Sequence, residues 1–403
     1  MKYHVLLDNI ERSNVFYRMF LSLKDDEFVF YTLKPSIYFY FKYYLKVSNI
    51  FIIESETEDE SANIDCNNDI HVLIGRASNK LSISMYKKIR YYLLKNAQYT
   101  SEDIAVVFNG CQTAARAFYD FFRDNNIKTL SCEISNLPGK MIFDPKGVNA
   151  QSLLFNNIDI LNDFKSVLSE QQHEDWINLY EEYKSYPIPQ SKIKYKYAIF
   201  AIVDALLYYF NRGIKEEDGG LIQKSKLFFN KIIGSKKNIS LGSICNLDIK
   251  YSFFPTQVST DTQILINSDV DNFQAIEMMC NESRDSEIYV KIHPAEQNKD
   301  IILKYLYLEK QGKITLCKNN TTELIKNASK VYTINSTVGL EALIYNKPLT
   351  VYGRAIYSKM VNAKDIRDFI HGYLVDIDYY GANKVDESVF DKLHKIASHN
   401  GKI

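Results

Sequence analysis

No charge of either sign dominates this 403-residue chain: Lys plus Arg and Asp plus Glu each number 49, for a net charge of +0. A global electrostatic grip on nucleic acid is therefore not expected. The six cysteines (Cys66, Cys111, Cys132, Cys245, Cys280 and Cys317) include no C-x-x-C pair and no metal-binding spacing, which fits reduced thiols in a cytoplasm. No apolar run approaches the roughly 20 residues that cross a bilayer. The opening Met1-Lys2-Tyr3-His4-Val5-Leu6-Leu7-Asp8 turns polar too soon for a signal peptide, so a cytoplasmic protein is expected. Internal repeats and low-complexity tracts are also missing. What the chain has in quantity is aromatic: 30 Tyr and 23 Phe, many beside lysine, as in Tyr38-Phe39-Tyr40-Phe41-Lys42-Tyr43-Tyr44-Leu45-Lys46. Core packing is the plainer reading of such a stretch, and peripheral contact with the inner face of a membrane is the other.

The length calls for two or three domains, since single cores rarely grow beyond about 250–300 residues. Short β runs alternate with helical spacing from the start: strands over Lys2–Leu7, Glu27–Tyr31, Ile50–Ile53, Ile104–Phe108 and Thr129–Glu133, with helices between. This predicts a Rossmann-like domain over 1–160. A helical connecting region follows over 161–245, broken at Tyr186-Pro187-Ile188-Pro189 and Asp218-Gly219-Gly220. Its apolar segment Phe200–Phe210 reads as a helix buried between domains. The join is placed near Gly234-Ser235-Lys236-Lys237-Asn238, and a second Rossmann-like domain with a terminal helix over 246–403. The expected fold class is α/β: two Rossmann-like domains facing a cleft with a helical insertion between them, the GT-B-like glycosyltransferase architecture.

One stretch organises the second half. Val331–Ile334 reads as a strand, Asn335-Ser336-Thr337 as a turn, Val338–Ile344 as a helix, and Leu349–Tyr352 as the next strand. Such a turn leaves amide donors beside the Ser336 and Thr337 hydroxyls, a setting that suits phosphate. Both residues are also ordinary helix caps. About forty residues earlier the strand Glu287–Ile292 ends in Lys291, His293 and Pro294, where an open α/β sheet places ligands. Glu133, ending its own strand, is either a catalytic carboxylate or a cap. Asp261, in a Ser/Thr-rich loop, is either a catalytic carboxylate or an Asx turn. Arg12, in the loop after the first strand, is placed to meet an acidic acceptor. Asp269-Val270-Asp271 and Asp376-Ile377-Asp378 match D-x-D metal patterns but read as solvated turns, so no metal is expected.

The stretches Phe254–Ile264, Val290-Lys291-Ile292-His293-Pro294 and Asn335–Leu343, with Lys347-Pro348, Tyr352-Gly353 and weaker likeness at Glu133 and Gly147-Val148-Asn149, carry a resemblance. They resemble the bacterial capsule polysaccharide synthesis proteins, which include the β-Kdo transferases of capsule and O-antigen assembly. The His-Pro and Ser-Thr elements also look like those of bacterial sialyltransferases. The resemblance implies a retaining, metal-independent transferase moving Kdo from CMP-β-Kdo, with no resident cofactor, to a saccharide or glycolipid acceptor. Asp261 would be the nucleophile, and His293 would contact the donor phosphate or assist the leaving group. Ser336 and Thr337 would hold that phosphate, Glu341 would reach the ribose or cytosine, and Glu133 would be base to the acceptor hydroxyl; Lys291, by its residue type and place, is a further donor to the departing phosphate. A transferase for another CMP-activated acid sugar and a non-catalytic assembly protein remain the alternatives.

Overall fold

The computed structural model describes residues 1–23, 27–185, 196–210, 212–218 and 241–401. They fall into two units. The first holds the described residues of Met1–Leu153, Ser169–Phe229 and Tyr373–Ile403; the second holds those of Leu154–Leu168 and Asn230–Gly372.

The first unit is built on a six-stranded sheet: β1 (Tyr3–Leu6), β2 (Phe28–Thr32), β3 (Ile50–Ile52), β4 (Ile104–Phe108), β5 (Lys128–Ile134) and β6 (Met141–Asp144). Their order is β3-β2-β1-β4-β5-β6, parallel except that β6 runs antiparallel to β5. β4 is an unbroken apolar run, Ile-Ala-Val-Val-Phe, because every position is buried. Helices form where a cap meets an amphipathic run. Asn9 caps Ile10–Phe20 by accepting from the Glu11 amide, and Ser78 caps Asn79–Asn96 by accepting from the Leu81 amide. Helix Thr113–Asp124 turns Phe118 and Phe122 onto a core with Leu6, Tyr31 and Val107.

The second unit repeats the plan with β7 (Tyr251–Pro255), β8 (Glu287–Lys291), β9 (Thr315–Leu316), β10 (Lys330–Thr333) and β11 (Leu349–Val351). The order β11-β10-β7-β8-β9 is wholly parallel. In both units the first strand lies between the second and the fourth. The winding therefore reverses between β1 and β4, and again between β7 and β10, which is where doubly wound sheets bind ligands. The two Rossmann-like halves read from the sequence are both present.

Several expectations change. The terminal helix, Ser388–Ala397, belongs to the first unit, because the tail returns there: the Met141 amide donates to the Val375 carbonyl at 3.0 Å and Tyr373 donates to Asp144 at 2.9 Å. The apolar helix over Lys196–Tyr209 is not enclosed; Ile202, Leu206 and Tyr209 stand in solvent, and Tyr40 meets Phe200 edge-on at 5.5 Å. The described helices of the connecting region, Glu170–Ser185 and Lys196–Tyr209, belong to the first unit rather than to a separate domain. Cys245 and Cys317 form a disulfide, with Cα atoms 5.8 Å apart, against the expectation of reduced thiols throughout. They are 72 residues apart, so no local spacing announced them. Cysteine usage therefore no longer argues for a reducing compartment. The join near 234–238 and the breaks at 186–189 and 219–220 lie outside the described residues. No helix among the described residues is long and apolar enough to cross a membrane.

Candidate functional site

In the second unit the loops after β7, β8 and β10 are tied together at the carboxyl edge of the sheet. Gln257 is the hub. Its Nε2 donates to Asn335 Oδ1 at 2.9 Å and lies 3.4 Å from Asp261 Oδ2, while its Oε1 accepts the Asn335 amide at 3.2 Å. Asn335 in turn donates to the Gln263 carbonyl at 2.9 Å. These bonds cross the point where the winding reverses and bring the Asp261 loop against the Asn335-Ser336-Thr337 turn. Asp261 is half-buried, and its Oδ1 caps helix Thr262–Asn267 by accepting the Gln263 amide at 2.9 Å. The cap uses one oxygen and fixes the direction of the other.

His293 enters from the end of β8. Its amide donates to Thr256 Oγ1 at 3.0 Å, and its Nδ1 accepts the Ala295 amide at 3.1 Å. The neutral ring thus carries its proton on Nε2, ready to donate outward. The ring edge is exposed, yet burial of the rest lowers the pKa, against the opposing pull of Asp261 and Glu296. Glu296 is 2 % exposed and accepts the amides of Ser259, Gln297 and Asn298 at 2.8–2.9 Å, clamping the His293 loop to the Asp261 loop. Burial alone would raise the Glu296 pKa, but the three amides hold it below its usual range.

The turn after β10 is more internally bonded than its hydroxyls suggest. Ser336 Oγ accepts the Val338 amide at 3.3 Å, its amide donates to Thr333 Oγ1 at 3.2 Å, and its carbonyl accepts the Tyr357 hydroxyl. Thr337 is exposed and makes no capping bond. Helix Val338–Ile344 has only seven residues, so local hydroxyls and amides rather than a long macrodipole are what the turn offers an anion. Glu341 is buried, at 4 % exposed, and so is not an ordinary surface residue of its helix. Lys291 is not brought into this group: its Nζ donates to the Asn319 carbonyl at 2.6 Å, on the β9 side of the sheet. Burial lowers its pKa, with Glu323 opposing.

In the first unit a second constellation gathers where β1 and β4 diverge. Asn109, left-handed at φ 67°, donates from Nδ2 to Glu133 Oε2 at 2.5 Å. Arg12 pairs with Asp8 at 2.6 Å and lies 4.4 Å over the Phe108 ring. Burial raises the Glu133 pKa, opposed by Arg12, the Asn109 bond and the Ile134 amide. A carboxyl with a raised pKa beside a guanidinium is suited to taking up a proton. The charge on Arg12 is already balanced by Asp8 and Glu133, which weakens its case as an anchor for an acidic acceptor.

Sequence reasoning missed Gln257, Glu296, Asn335 as a bridge, Tyr357, Asp8 and Asn109. Only Gln257 and Asn335 carried a signal, lying inside the motif stretches. The D-x-D aspartates are otherwise engaged. Asp269 pairs with Arg354 at 2.7 Å, and Asp271 forms a capping box with Gln274. Asp376 pairs with Lys140 at 2.5 Å, and Asp378 accepts the Tyr380 amide at 3.0 Å. A cavity of about 810 Å³ in the second unit opens beside Glu287 and Ile288, at the amino end of β8, away from this chemistry.

Comparisons with known proteins follow the same stretches. Residues 106–361 match the family described as Capsule polysaccharide biosynthesis protein. A 114-residue stretch is 34% identical to Protein FixF of Sinorhizobium fredii (strain NBRC 101917 / NGR234), covering 27% of each chain. A 123-residue stretch is 35% identical to Capsule polysaccharide export protein KpsS of Escherichia coli, covering 28% of this chain and 32% of that one. The aligned stretches thus span less than a third of either relative's own length. Among solved structures, Thermosulfurimonas dismutans KpsC, beta Kdo 2,7 transferase, superposes over 98% of this chain and 99% of its own, at 14% identity and a TM-score of 0.47.

Proposed function

Because this chain belongs to the capsule polysaccharide biosynthesis protein family, matched over residues 106–361, we propose that it is a glycosyltransferase moving Kdo from CMP-β-Kdo to a saccharide or glycolipid acceptor in surface polysaccharide synthesis. The observation that carries this reading is the Gln257 bridge, which holds Asp261 against the Asn335-Ser336-Thr337 turn at the reversal between β7 and β10.

Transfer with retention runs in two displacements. Asp261 Oδ2 attacks the anomeric carbon, the bond to the phosphate oxygen breaks, and CMP departs with the electron pair. His293 Nε2–H and the hydroxyls of Ser336 and Thr337 donate to the departing phosphate, whose charge grows as that bond lengthens. Glu133 then takes the proton of the acceptor hydroxyl. The acceptor oxygen attacks the anomeric carbon, and Asp261 leaves again as a carboxylate. These steps need no metal or cofactor, only groups of this chain. Lys291 serves the phosphate only by releasing the Asn319 carbonyl, so it is the weakest member of the set. Glu341 lies one turn inside the helix and is buried, and its role toward the ribose or cytosine rests on the family resemblance.

Calorimetry with CMP and with CMP-sugars tests the reading. CMP binding with turnover of CMP-Kdo supports it. Turnover of CMP-sialic acid instead moves it to another acid sugar. The capping role of Asp261 favours a second reading, in which the chain binds a CMP-sugar without transferring it. CMP binding with no turnover of any donor would establish that one.

Contact with a membrane surface belongs to the same proposal. Tyr43 and Tyr44 are 68% and 73% exposed, close to Lys42 and Lys46, and the solvent-facing Ile202 and Leu206 lie on the helix that packs against Tyr40. Aromatic rings beside lysines suit the headgroup layer of an anionic bilayer, which would also present a glycolipid acceptor.

A further inference from the structure

The first unit contains a cavity of about 450 Å³ at the carboxyl edge of its sheet, and two buried polar atoms in its walls have no partner among the described residues. One is Oδ1 of Asp8, a residue 8 % exposed, whose other oxygen takes Arg12 at 2.6 Å. The other is Nδ1 of His71, 9 % exposed, on the short helix Ile70–Leu73. The chain curls back here, with the amides of Arg76 and Ala77 donating to the His71 carbonyl at 2.8 and 2.9 Å. Native proteins seldom leave such atoms unmet, and those that remain mark a place for water or a ligand.

The cavity's charges decide which ligand. Its cations are each engaged: Arg12 with Asp8, Lys34 with Glu216 at 2.9 Å, and Arg76 with Glu217 at 3.6 Å. Asp204 accepts both the amide and the hydroxyl of Ser36, at 2.8 and 2.7 Å. Among the described residues carboxylates therefore outnumber cations in the wall, and an anion entering would meet net negative charge from them and no free positive partner. A hydroxyl-rich neutral ring meets acceptors and donors that need what it has. Ile37, Phe200 and Tyr208 add apolar surface for its C–H face.

We propose that this cavity is the acceptor subsite and that it takes an uncharged sugar residue, whose hydroxyls bond Asp8 Oδ1 and His71 Nδ1. The assignment rests on the transferase reading above and names the acceptor class for it. Arg12 links the cavity to the rest of that reading, since it lines the wall, pairs with Asp8 and stands beside Glu133. Arg12 thus joins the cavity to the group assigned to take the acceptor's proton, which does not itself line the wall.

The test uses the full chain without donor and reads saturation-transfer NMR from methyl glycosides at about 20 mM, a level suited to millimolar affinity. The probes are methyl β-glucoside, methyl β-galactoside, methyl β-glucuronide and the glycoside of glucosamine. A neutral glycoside is expected to saturate at least about five-fold more than the glucuronide or the amine. His71→Phe keeps the ring's bulk and removes its nitrogens; Ala205→Leu fills the cavity from the helix Lys196–Tyr209. Both should abolish the signal while CMP binding, read by calorimetry, stays within about two-fold of wild type. If His71→Phe does not fold, Ala205→Leu carries the test alone. Overturning results are no saturation by any neutral glycoside, preference for the acid or the amine, or a signal unchanged in Ala205→Leu. Failure of the wild type to bind CMP would instead count against the transferase reading and leave the sugar result to be read by itself.

Discussion

His293 is where side-chain chemistry is most legible. With Nδ1 occupied by the Ala295 amide and the pKa lowered chiefly by burial, the ring is neutral near pH 7 and offers one proton, on Nε2. A bond from that proton to a phosphate is charge-assisted on the acceptor side and worth about 1.5–3 kcal/mol. His293→Ala should therefore weaken CMP binding by roughly ten-fold to a hundred-fold, read by calorimetry; unchanged affinity would remove the residue from the site. Glu133 makes a different prediction. Burial raises its pKa, so the ionised base is lost at a higher pH than for an ordinary glutamate. Turnover should rise with pH through a limb lying above the ordinary glutamate range, and Glu133→Gln should lower kcat by about 10²-fold or more and erase that limb. A fall in kcat with the limb intact would assign the limb to another group.

Among the elements, the turn after β10 depends on packing behind it. A Cβ at Gly339 would run into the ring of Tyr357, which is 7 % exposed and bonded through its hydroxyl to the Ser336 carbonyl. Alanine gains about 1 kcal/mol of helix propensity over glycine, whereas an overpacked core loses about 1–3 kcal/mol. The clash should win. Gly339→Ala is expected to lower the melting temperature and, because Tyr357 anchors the turn, to weaken CMP binding as well. A more stable Gly339→Ala protein would contradict this account of the turn. β4 is legible to the residue, Ile104–Phe108, because a strand buried on both faces is an unbroken apolar run. β6, a four-residue strand pairing backwards onto β5, carries no period of its own and was missed. Asp261, His293 and Ser336 were singled out because strand ends and turns mark ligand positions, and the structure ties their loops together. Glu296 was not, since a buried carboxylate that ties loops together looks in sequence like any polar loop residue; Gln257 lay inside a motif stretch, but its tie to Asn335 did not show there. Lys291 illustrates the converse: its place at a strand end was right, but its side chain turned toward β9.

At the scale of the whole molecule, the strand order repeats from one unit to the other, and each carries a polar constellation at its own reversal point. The tail from Tyr373 returning to the first unit was illegible in sequence, because that return is set by long-range pairing to Met141 and Asp144. The exposed aromatic surface of the first unit leads to a further measurement. Phe39→Ser, Tyr43→Ser and Tyr44→Ser together should weaken binding to anionic phosphatidylglycerol vesicles, read by cosedimentation, by about a hundred-fold, each ring contributing on the order of 1 kcal/mol. Equal cosedimentation would show that these rings do not meet the bilayer. The central claim is that Asp261 takes the sugar before the acceptor does, and intact-protein mass spectrometry after incubation with CMP-Kdo and no acceptor tests it most directly. The account predicts a single added Kdo residue, mapped to Asp261 and missing in Asp261→Ala. An unmodified protein that nevertheless transfers Kdo, or an Asp261→Ala protein of undiminished activity, would contradict it.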